Sequence, residues 1–266
     1  MYKKILADIS YFLLSINPFL EKIKIKCDYD FILHAYKHDV IGRKLYKTKK
    51  YDRTLSEWII NKFTDSSGNF IDIGANLGYF TCLLAHVSNN QGKILAIEPE
   101  PNNHELLQIN VNNNNLASKV FIENSALGES EGVALLNVYK KSNRGRHSMV
   151  SNGSGSSIEV PVQRLDKLVS KHFDCAQVID LIKLDVEGYE PFVIRGAGNV
   201  LDRTKYLVME YAPYLLKHSG MKINEFMEHV ASKFSKMYLI EDERITPTSL
   251  HEILNRSDSV DILFEK

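Results

Sequence analysis

From residue 69 onward, short apolar segments alternate regularly with segments of helical spacing. Apolar runs bounded by turn residues predict strands, and apolar residues three or four positions apart predict helices. Strands that alternate with helices form parallel sheets covered on both faces. We therefore predict a doubly wound, Rossmann-like α/β domain whose ligand site lies beyond the carboxyl ends of the strands. The predicted strands are 69–73, 93–98, 120–123, 133–139, 158–163, 179–184, 206–210, 237–240 and 260–264.

The first 50 residues precede this alternation, so we predict a partly helical extension over 1–50 and the main domain over 51–266. Asp8 and Asn17 interrupt its apolar run, which is therefore not the stretch of about 20 apolar residues that spans a membrane. No small-residue cleavage site marks a signal peptide. The run predicts a helix docked on the body or on a second subunit, with peripheral membrane contact of residues 1–20 as the alternative. Its apolar face consists of Ile5, Leu6, Ile9, Phe12, Leu13 and Ile16.

Charge and cysteine content argue against several classes of protein. Lys and Arg together number 33, as do Asp and Glu, so no net charge favours nucleic acid as a partner. Cys27, Cys82 and Cys175 are far apart and form no Cys-x-x-Cys pair, which argues against a disulfide framework or a zinc site. Reduced thiols are typical of the cytoplasm. We expect a cytoplasmic protein, with membrane association and homo-oligomerisation as open possibilities.

A glycine loop follows the first predicted strand of the main domain. It reads Asp72-Ile-Gly74-Ala-Asn76-Leu-Gly78, and glycine lets a ligand approach the backbone closely. The Gly-x-x-x-Gly spacing differs from the Gly-x-Gly-x-x-Gly of dinucleotide-binding loops. The Asp72 carboxylate would repel a phosphate and attract an ammonium. The loop therefore favours S-adenosylmethionine, which has an amino group, a sulfonium and no phosphate, over a nicotinamide dinucleotide.

Two further positions fit the same cofactor. Glu98 ends the next strand 20 residues after Gly78, where a carboxylate binds the hydroxyls of a ribose. Ser125 and Ala126 follow the third strand, and in this fold class that turn lies near the adenine. We predict that these residues complete the cofactor site.

Acidic side chains collect at the carboxyl ends of two later strands. Asp185, Glu187 and Glu190 follow one of them, and Glu210 ends the next. Carboxylates in this position act as a general base towards a hydroxyl or bind a divalent cation such as Mg²⁺. We predict that Asp185, Glu187 and Glu210 are catalytic or metal-binding, whereas Glu190 suits the first turn of a helix.

A basic loop, Asn143-Arg-Gly145-Arg-His147-Ser148, precedes the Ser/Gly-rich stretch 151–157, which is flexible by composition. We expect the basic loop to cover the substrate, with a solvated turn as the alternative. His147 is a second candidate base.

Taken together, four segments resemble the FkbM family of methyltransferases. The most specific is Lys183-x-Asp185-Val-Glu187-Gly188-x-Glu190. The others are His38-Asp-Val-Ile-Gly42 through Tyr46, the glycine loop and Asn143-x-Gly145-x-x-Ser148, with Arg164-Leu-Asp166 as a further likeness. The likeness covers residues 30–265 and leaves the first 26 outside it.

The resemblance implies a seven-stranded sheet whose last strand is antiparallel, S-adenosylmethionine as donor, and usually an oxygen acceptor on a saccharide or secondary metabolite. Carried over by position, Asp185 and Glu187 face the acceptor, and Asp185 also borders the cofactor. The cofactor residues carried over are Asp72, Gly74, Asn76, Gly78 and Glu98.

We therefore predict an S-adenosylmethionine-dependent O-methyltransferase with a small-molecule or glycan acceptor. Asp185 or Glu187 is the predicted base, with a divalent cation shared with Glu210 as an option. A nucleic-acid methyltransferase or a non-catalytic S-adenosylmethionine-binding module is the alternative. A nicotinamide-dependent oxidoreductase shares the sheet and the ribose acid, but Asp72 and the glycine spacing argue against it.

Overall fold

The computed structural model describes residues 2–139, 142–150, 156–241 and 243–266. In this part of the chain the helices are α1 Tyr2–Ile16, α2 Val40–Thr48, α3 Arg53–Phe63, α4 Tyr79–Val87, α5 Pro101–Asn113, α6 Leu165–His172, α7 Glu190–Arg195, α8 Pro213–His218, α9 Ile223–Ala231 and α10 Leu250–Leu254. The strands are β1 Lys22–Lys26, β2 Ile32–Tyr36, β3 Asn69–Ile73, β4 Lys93–Ile97, β5 Val120–Glu123, β6 Ala126–Leu127, β7 Gly132–Val138, β8 Ser156–Gln163, β9 Ile179–Leu184, β10 Thr204–Tyr211, β11 Lys236–Glu241, β12 Arg244–Pro247 and β13 Val260–Glu265.

A mostly parallel central sheet confirms the predicted α/β fold. Among the described residues its strand order is β12-β11-β13-β10-β9-β3-β4-β5. Strands β5, β4, β3, β9 and β10 are parallel, and β13 is antiparallel to β10, as the resemblance implied for the last strand. The sheet has one strand more than predicted, because the chain after β11 turns back and pairs as β12 at the edge.

Helices cover both faces of the sheet, and each face has its own hydrophobic cluster. Successive residues of a strand point to opposite faces. Phe70 and Leu181 therefore join the cluster beneath α3, α4 and α5, whereas Ile71 and Ile182 join the cluster beneath α6, α7 and α9. The carboxyl ends of β3, β4 and β9 meet at one edge, where the predicted site residues follow them.

The region before residue 50 contains a β1–β2 hairpin that we did not predict. Its first strand reads Lys-Ile-Lys-Ile-Lys, a period-two pattern in which Ile23 and Ile25 are buried while Lys24 and Lys26 are exposed. The hairpin and α2 share one hydrophobic cluster with α3 and α4. The core therefore runs across residue 50, and the predicted domain boundary there stays a prediction.

Helix α1 docks by a different face from the predicted one. Tyr11 is buried and its ring lies 5.5 Å from that of Tyr46 on α2. The predicted apolar face points away from the body, with Ile9, Phe12, Leu13 and Ile16 between 53% and 60% exposed. That face therefore does not pack on the described part of the chain. The side chains of Ile5 and Leu6 lie outside the described residues.

A small sheet of order β6-β8-β7 flanks the site edge, and the basic loop runs between β7 and β8. The stretch predicted to be flexible, 151–157, lies largely outside the described residues. Among the helices described, none has the length and the apolar character needed to cross a membrane.

Candidate active site

A row of charged side chains crosses one face of the central sheet. Asp72 of β3 pairs in register with Lys183 of β9, and Glu210 of β10 pairs with Asp261 of β13. Residues paired in register point to the same face, and Val208, two residues before Glu210, pairs with Lys183. All four side chains therefore lie on the face covered by α3 and α4. Asp185 follows directly at the end of β9.

The glycine loop brings the ends of β3 and β9 together. Gly74, Asn76 and Gly78 all have positive φ, at 77°, 53° and 88°. A Cβ on Gly74 would stand 1.9 Å from the Asp185 carbonyl oxygen, so only glycine fits there. Gly78 begins α4, and a Cβ on it would stand 2.5 Å from Leu107. Gly74 thus brings the loop backbone against the acidic turn, and Gly78 brings α4 against α5.

Asp72 is buried in the floor of the site. Its Oδ2 accepts a hydrogen bond of 2.6 Å from the Thr81 hydroxyl, and its Oδ1 has no partner among the described residues. Burial raises the pKa of Asp72, while the nearby Lys183 ammonium lowers it. A buried acceptor without a partner is costly, so Asp72 is prepared for a donor from a ligand.

Glu98 lies at the end of β4, as predicted. One carboxylate oxygen accepts from the Asn76 N–H at 2.8 Å and the other from the Glu100 N–H at 2.9 Å. Burial raises its pKa to about 7, against the effect of these backbone hydrogen bonds. A carboxylate oxygen has two lone pairs, so each oxygen can accept a second bond, from a ligand hydroxyl.

Ser125 and Ala126 lie beside the ends of β4 and β5. Both are buried, and the Ser125 hydroxyl has no hydrogen-bond partner in the described structure. A buried hydroxyl costs free energy until it is bonded. The Ser125 hydroxyl is therefore available to donate and to accept a hydrogen bond with a polar group of a ligand.

A cavity of about 300 Å³ joins these residues. Small-molecule sites have volumes of about 300–1,000 Å³. Gly78 and Glu210 are not among the described residues that line it. The predicted site residues that do line it are Asp72, Gly74, Asn76, Glu98, Ser125, Ala126, His147, Asp185 and Glu187.

Two members of an acidic cluster, Asp185 and Glu187, line the same cavity. Asp185, Glu187 and Glu210 each have a carboxylate oxygen within 4.8 Å of the others. The Asp185 Oδ2 accepts a hydrogen bond of 3.0 Å from the Lys183 ammonium. Burial lowers the pKa of Lys183, but Asp185, Asp72 and Asp261 outweigh it and raise that pKa overall. Lys183 is therefore a permanent cation among these acids.

Glu210 differs from its two neighbours. Burial, followed by the charges of Asp185 and Glu187, raises its pKa to about 9. At neutral pH Glu210 is therefore protonated. Asp185 and Glu187 line the cavity, whereas Glu210 is not among the described residues that do.

The turn that carries Asp185 and Glu187 is fixed by hydrogen bonds with Glu190 and Ser148. Glu187 and Gly188 have positive φ, at 53° and 96°. The buried Glu190 accepts hydrogen bonds from the N–H groups of Val186 and Gly188 on one oxygen. Ser148 of the basic loop donates to the Glu187 carbonyl at 2.6 Å. Glu190 thus shapes the turn, beyond the helix-end role that its position suggested.

His147 is placed in the cavity wall as a hydrogen-bond donor. Its Nδ1 accepts from the Tyr139 N–H at 2.9 Å, so in the neutral ring Nε2 carries the proton. That Nε2 is buried without a partner in the part of the chain described. Burial lowers the pKa of His147, which keeps the ring neutral. With Nδ1 occupied and Nε2 protonated, this arrangement argues against the base role that we predicted.

Helix α2 and Tyr51 form a wall of the cavity that sequence reasoning missed. Lys44 and Tyr51 line it, and the Lys44 ammonium lies 4.6 Å from the centroid of the Tyr51 ring. Burial, then the charge of Asp185, raises the pKa of the Tyr51 hydroxyl. Asp39 caps α2 and accepts from the Arg144 N–H at 2.8 Å, which joins α2 to the basic loop. Aspartate before an apolar run signals a helix start. Lys44 lies in the His38–Tyr46 segment that resembles the family, but no pattern in the sequence assigns Lys44 or Tyr51 to the site.

Comparison with known proteins bears on this geometry. The family model for the methyltransferase FkbM domain matches residues 72–239 of the sequence. The methyltransferase sdnD of Sordaria araneosa is 27% identical over 153 residues, which are 47% of this chain and 59% of that protein. The chain thus spans less than two thirds of that relative.

Solved structures are similar at lower identity. Methyltransferase FkbM from Methylobacillus flagellatus is 15% identical with a TM-score of 0.47, over 98% of this chain and 59% of that one. The Streptococcus mutans protein SMU.1697c, in complex with SAH, is 12% identical with a TM-score of 0.45, over 82% and 98%. The FkbM model covers more than half of the chain and the motifs that carried the resemblance in β3 and β9. The chain belongs to the FkbM methyltransferase family.

Proposed function

We propose that the chain is an S-adenosylmethionine-dependent O-methyltransferase that acts on a polyhydroxylated acceptor, a saccharide or a hydroxylated secondary metabolite. One observation carries this proposal. A single cavity is lined by the buried carboxylates of Asp72 and Glu98, which suit the cofactor, and by Asp185 and Glu187, which we assign to the acceptor end. Family membership supports the methyl-transfer reaction, and the oxygen acceptor rests on the residues at the acidic end.

The cofactor end suits each part of S-adenosylmethionine. The unpartnered Oδ1 of Asp72 would accept from the amino group, and Glu98 would accept from the ribose hydroxyls. The unpartnered hydroxyl of Ser125 would meet the adenine. When bound, S-adenosylmethionine supplies a methyl group on a sulfonium, which needs no further activation.

The protein then has to orient an acceptor hydroxyl and take up its proton. Asp185 and Glu187 line the cavity and would accept that proton, because Glu210 is already protonated. Lys183 holds Asp185 through a hydrogen bond of 3.0 Å, which fixes the orientation of the carboxylate. His147 would donate its Nε2–H to an acceptor oxygen.

The chemistry of this end favours a sugar-like acceptor. Carboxylates accept several hydrogen bonds from hydroxyl groups, and Tyr51 and Tyr189 add aromatic surface to the lining. A divalent cation is part of the proposal as an option. Asp185, Glu187 and Glu210 would hold it, and Glu210 would lose its proton on binding, because carboxylate oxygens are the ligands that Mg²⁺ prefers.

Methyl transfer from S-adenosylmethionine to a panel of glycan and polyketide alcohols, with and without Mg²⁺, tests this proposal. Asp185→Asn should lower kcat by about 100-fold or more, as loss of a general base does, while binding of S-adenosylhomocysteine is kept. Asp180→Asn is the matched control, because Asp180 lies near the start of the same strand and pairs with Lys205. Equal activity of the two variants would contradict the role of Asp185.

A further inference from the structure

Helix α1 presents an apolar face that no described part of the chain covers. Ile9, Phe12, Leu13 and Ile16 are 53%, 60%, 59% and 58% exposed, and Phe19 just beyond the helix is 97% exposed. These positions recur three or four residues apart and form one stripe. Contiguous exposed apolar surface marks an interaction site.

The outward direction of this face is fixed by contacts on the opposite side of the helix. The Ser10 and Tyr46 hydroxyls are 2.6 Å apart, and Asp8 forms an ion pair with Lys47. Tyr11 is buried, and its hydroxyl donates to the Lys37 carbonyl. One side of α1 is therefore bound to the body through Tyr11 and these polar contacts. The other side is apolar and needs a second environment.

The formal charge of residues 1–50 differs in sign from that of the rest of the chain. Residues 1–50 contain eleven Lys and Arg against five Asp and Glu, a formal charge of +6. Because the whole chain is neutral, residues 51–266 carry −6. Arg43, Lys44 and Lys47 are exposed on α2, the helix on which α1 packs. A partner that complements this region offers apolar groups to the α1 stripe and negative charge to the basic residues around it.

We propose that α1 docks on an anionic lipid bilayer through Phe12, Leu13 and Ile16, with Phe19 inserted at the end of the helix. Amphipathic helices with basic neighbours lie in the plane of the bilayer interface and bury their apolar face there. Nucleic acid would use the positive charge and leave the apolar stripe in water. A second copy would cover the stripe and bring together two regions of the same charge.

If α1 docks in this way, the cavity lies one helix away from the bilayer surface. Helix α2 lies between α1 and the cavity, and its Val40, Ile41 and Lys44 line the cavity. Val40 is itself 40% exposed. One wall of the cavity is therefore formed by the helix on which α1 packs. This inference about docking stands independently of the methyl-transfer proposal, because it rests on the exposed face of α1 and on the charge of residues 1–50.

Vesicle flotation of the 266-residue chain tests the inference. The probes are vesicles of phosphatidylcholine alone and of phosphatidylcholine with phosphatidylglycerol. The variant Phe12→Ser/Leu13→Ser removes the centre of the stripe. Val133→Ser/Leu135→Ser is the matched control, because these β7 side chains are 68% and 56% exposed elsewhere on the protein.

We expect flotation with the anionic vesicles, weakened by salt, and at least about tenfold weaker partitioning of the α1 variant, as the removal of two large apolar groups predicts. The control should float like the wild type. Absence of flotation with anionic vesicles, or equal flotation of both variants, overturns the inference.

Two other outcomes would name a different partner. If the wild type does not float and sediments as a dimer, and the α1 variant sediments as a monomer, the face binds a second copy. RNA binding that survives in the α1 variant, without flotation, assigns the charge to nucleic acid. Either result also overturns the inference.

Discussion

Gly74 and Asp185 meet backbone to backbone at the point where β3 and β9 end. A Cβ on Gly74 would lie 1.9 Å from the Asp185 carbonyl oxygen, and the Asp185 N–H donates to the Ile73 carbonyl at 3.1 Å. The cofactor loop and the acidic turn are thereby held as one unit. The position of the proposed base relative to the proposed cofactor site depends on this contact.

We expect Gly74→Ala to lower the free energy of unfolding by at least about 2 kcal/mol, because a non-glycine residue at positive φ is strained and the new Cβ clashes with backbone. Gly220→Ala separates the two causes. Gly220 has a φ of 74° and nothing within 4 Å of its Cβ, so it carries the strain alone. Urea denaturation of both variants measures the difference. An equal loss in the two would show that the contact with Asp185 is unimportant.

Asp72→Asn tests the proposed amino-group contact. Loss of a charge-assisted hydrogen bond should weaken S-adenosylhomocysteine binding by about 10- to 100-fold. Methylthioadenosine lacks the amino-acid part and serves as the control ligand, so wild type and variant should bind it equally in calorimetric titration. Equal weakening for both ligands would show that Asp72 supports the fold of the site and does not bind the amino group.

Ligand affinity should depend on pH through Glu98, whose pKa burial raises to about 7. The ionised form accepts from both ribose hydroxyls, so methylthioadenosine should bind up to about tenfold more tightly at pH 8 than at pH 6. Glu98→Gln should remove this dependence and bind weakly throughout. A wild-type affinity that falls as pH rises would contradict the contact.

The same group affects stability in the opposite direction. The pKa of Glu98 is higher in the folded chain than its ordinary value of 4.5, and burial likewise raises that of Glu190 to about 7. The folded state then binds more protons than the unfolded state between these values. The stability they contribute is complete below pH 4.5 and is lost as pH rises through 7. We expect Glu190→Gln to reduce this loss, measured as thermal unfolding against pH without ligand.

His147 should be a donor and not a base. NMR of the imidazole nitrogens should find the proton on Nε2 at neutral pH, because Nδ1 accepts from Tyr139. His147→Gln keeps a donor and should retain more activity than His147→Phe, with an unchanged dependence of kcat/KM on pH. Loss of the lower limb of that dependence in His147→Gln would restore the histidine as base.

Strand and helix identity could be read from the sequence wherever burial follows a simple period. The bounds predicted for β3, β5 and β9 agree with the structure, because buried parallel strands are continuous apolar runs between turn residues. Strand β1 was missed although its Lys-Ile alternation is a strand signal. It has only five residues and follows a segment of helical pattern, so the region was predicted to be partly helical.

The positions of the candidate site residues were predictable where they follow directly from a strand end, whereas their roles stay predictions. Gly74 and Asp72 lie at fixed positions relative to a strand end, so their spacing in the sequence placed them. The role of His147 depends on the N–H of Tyr139 across the loop, and the position of Tyr51 depends on how α3 packs. Such contacts join distant parts of the chain, and no local pattern encodes them.

Calorimetric titration of the 266-residue chain with S-adenosylhomocysteine, with NADH as the control ligand, tests the cofactor site most directly. We predict 1:1 binding with a Kd on the order of micromolar, a free energy of about −8 kcal/mol, and no heat from NADH. Absence of S-adenosylhomocysteine binding by the folded protein, or binding of NADH in its place, would contradict the assignment of Asp72 and Glu98 to an S-adenosylmethionine site.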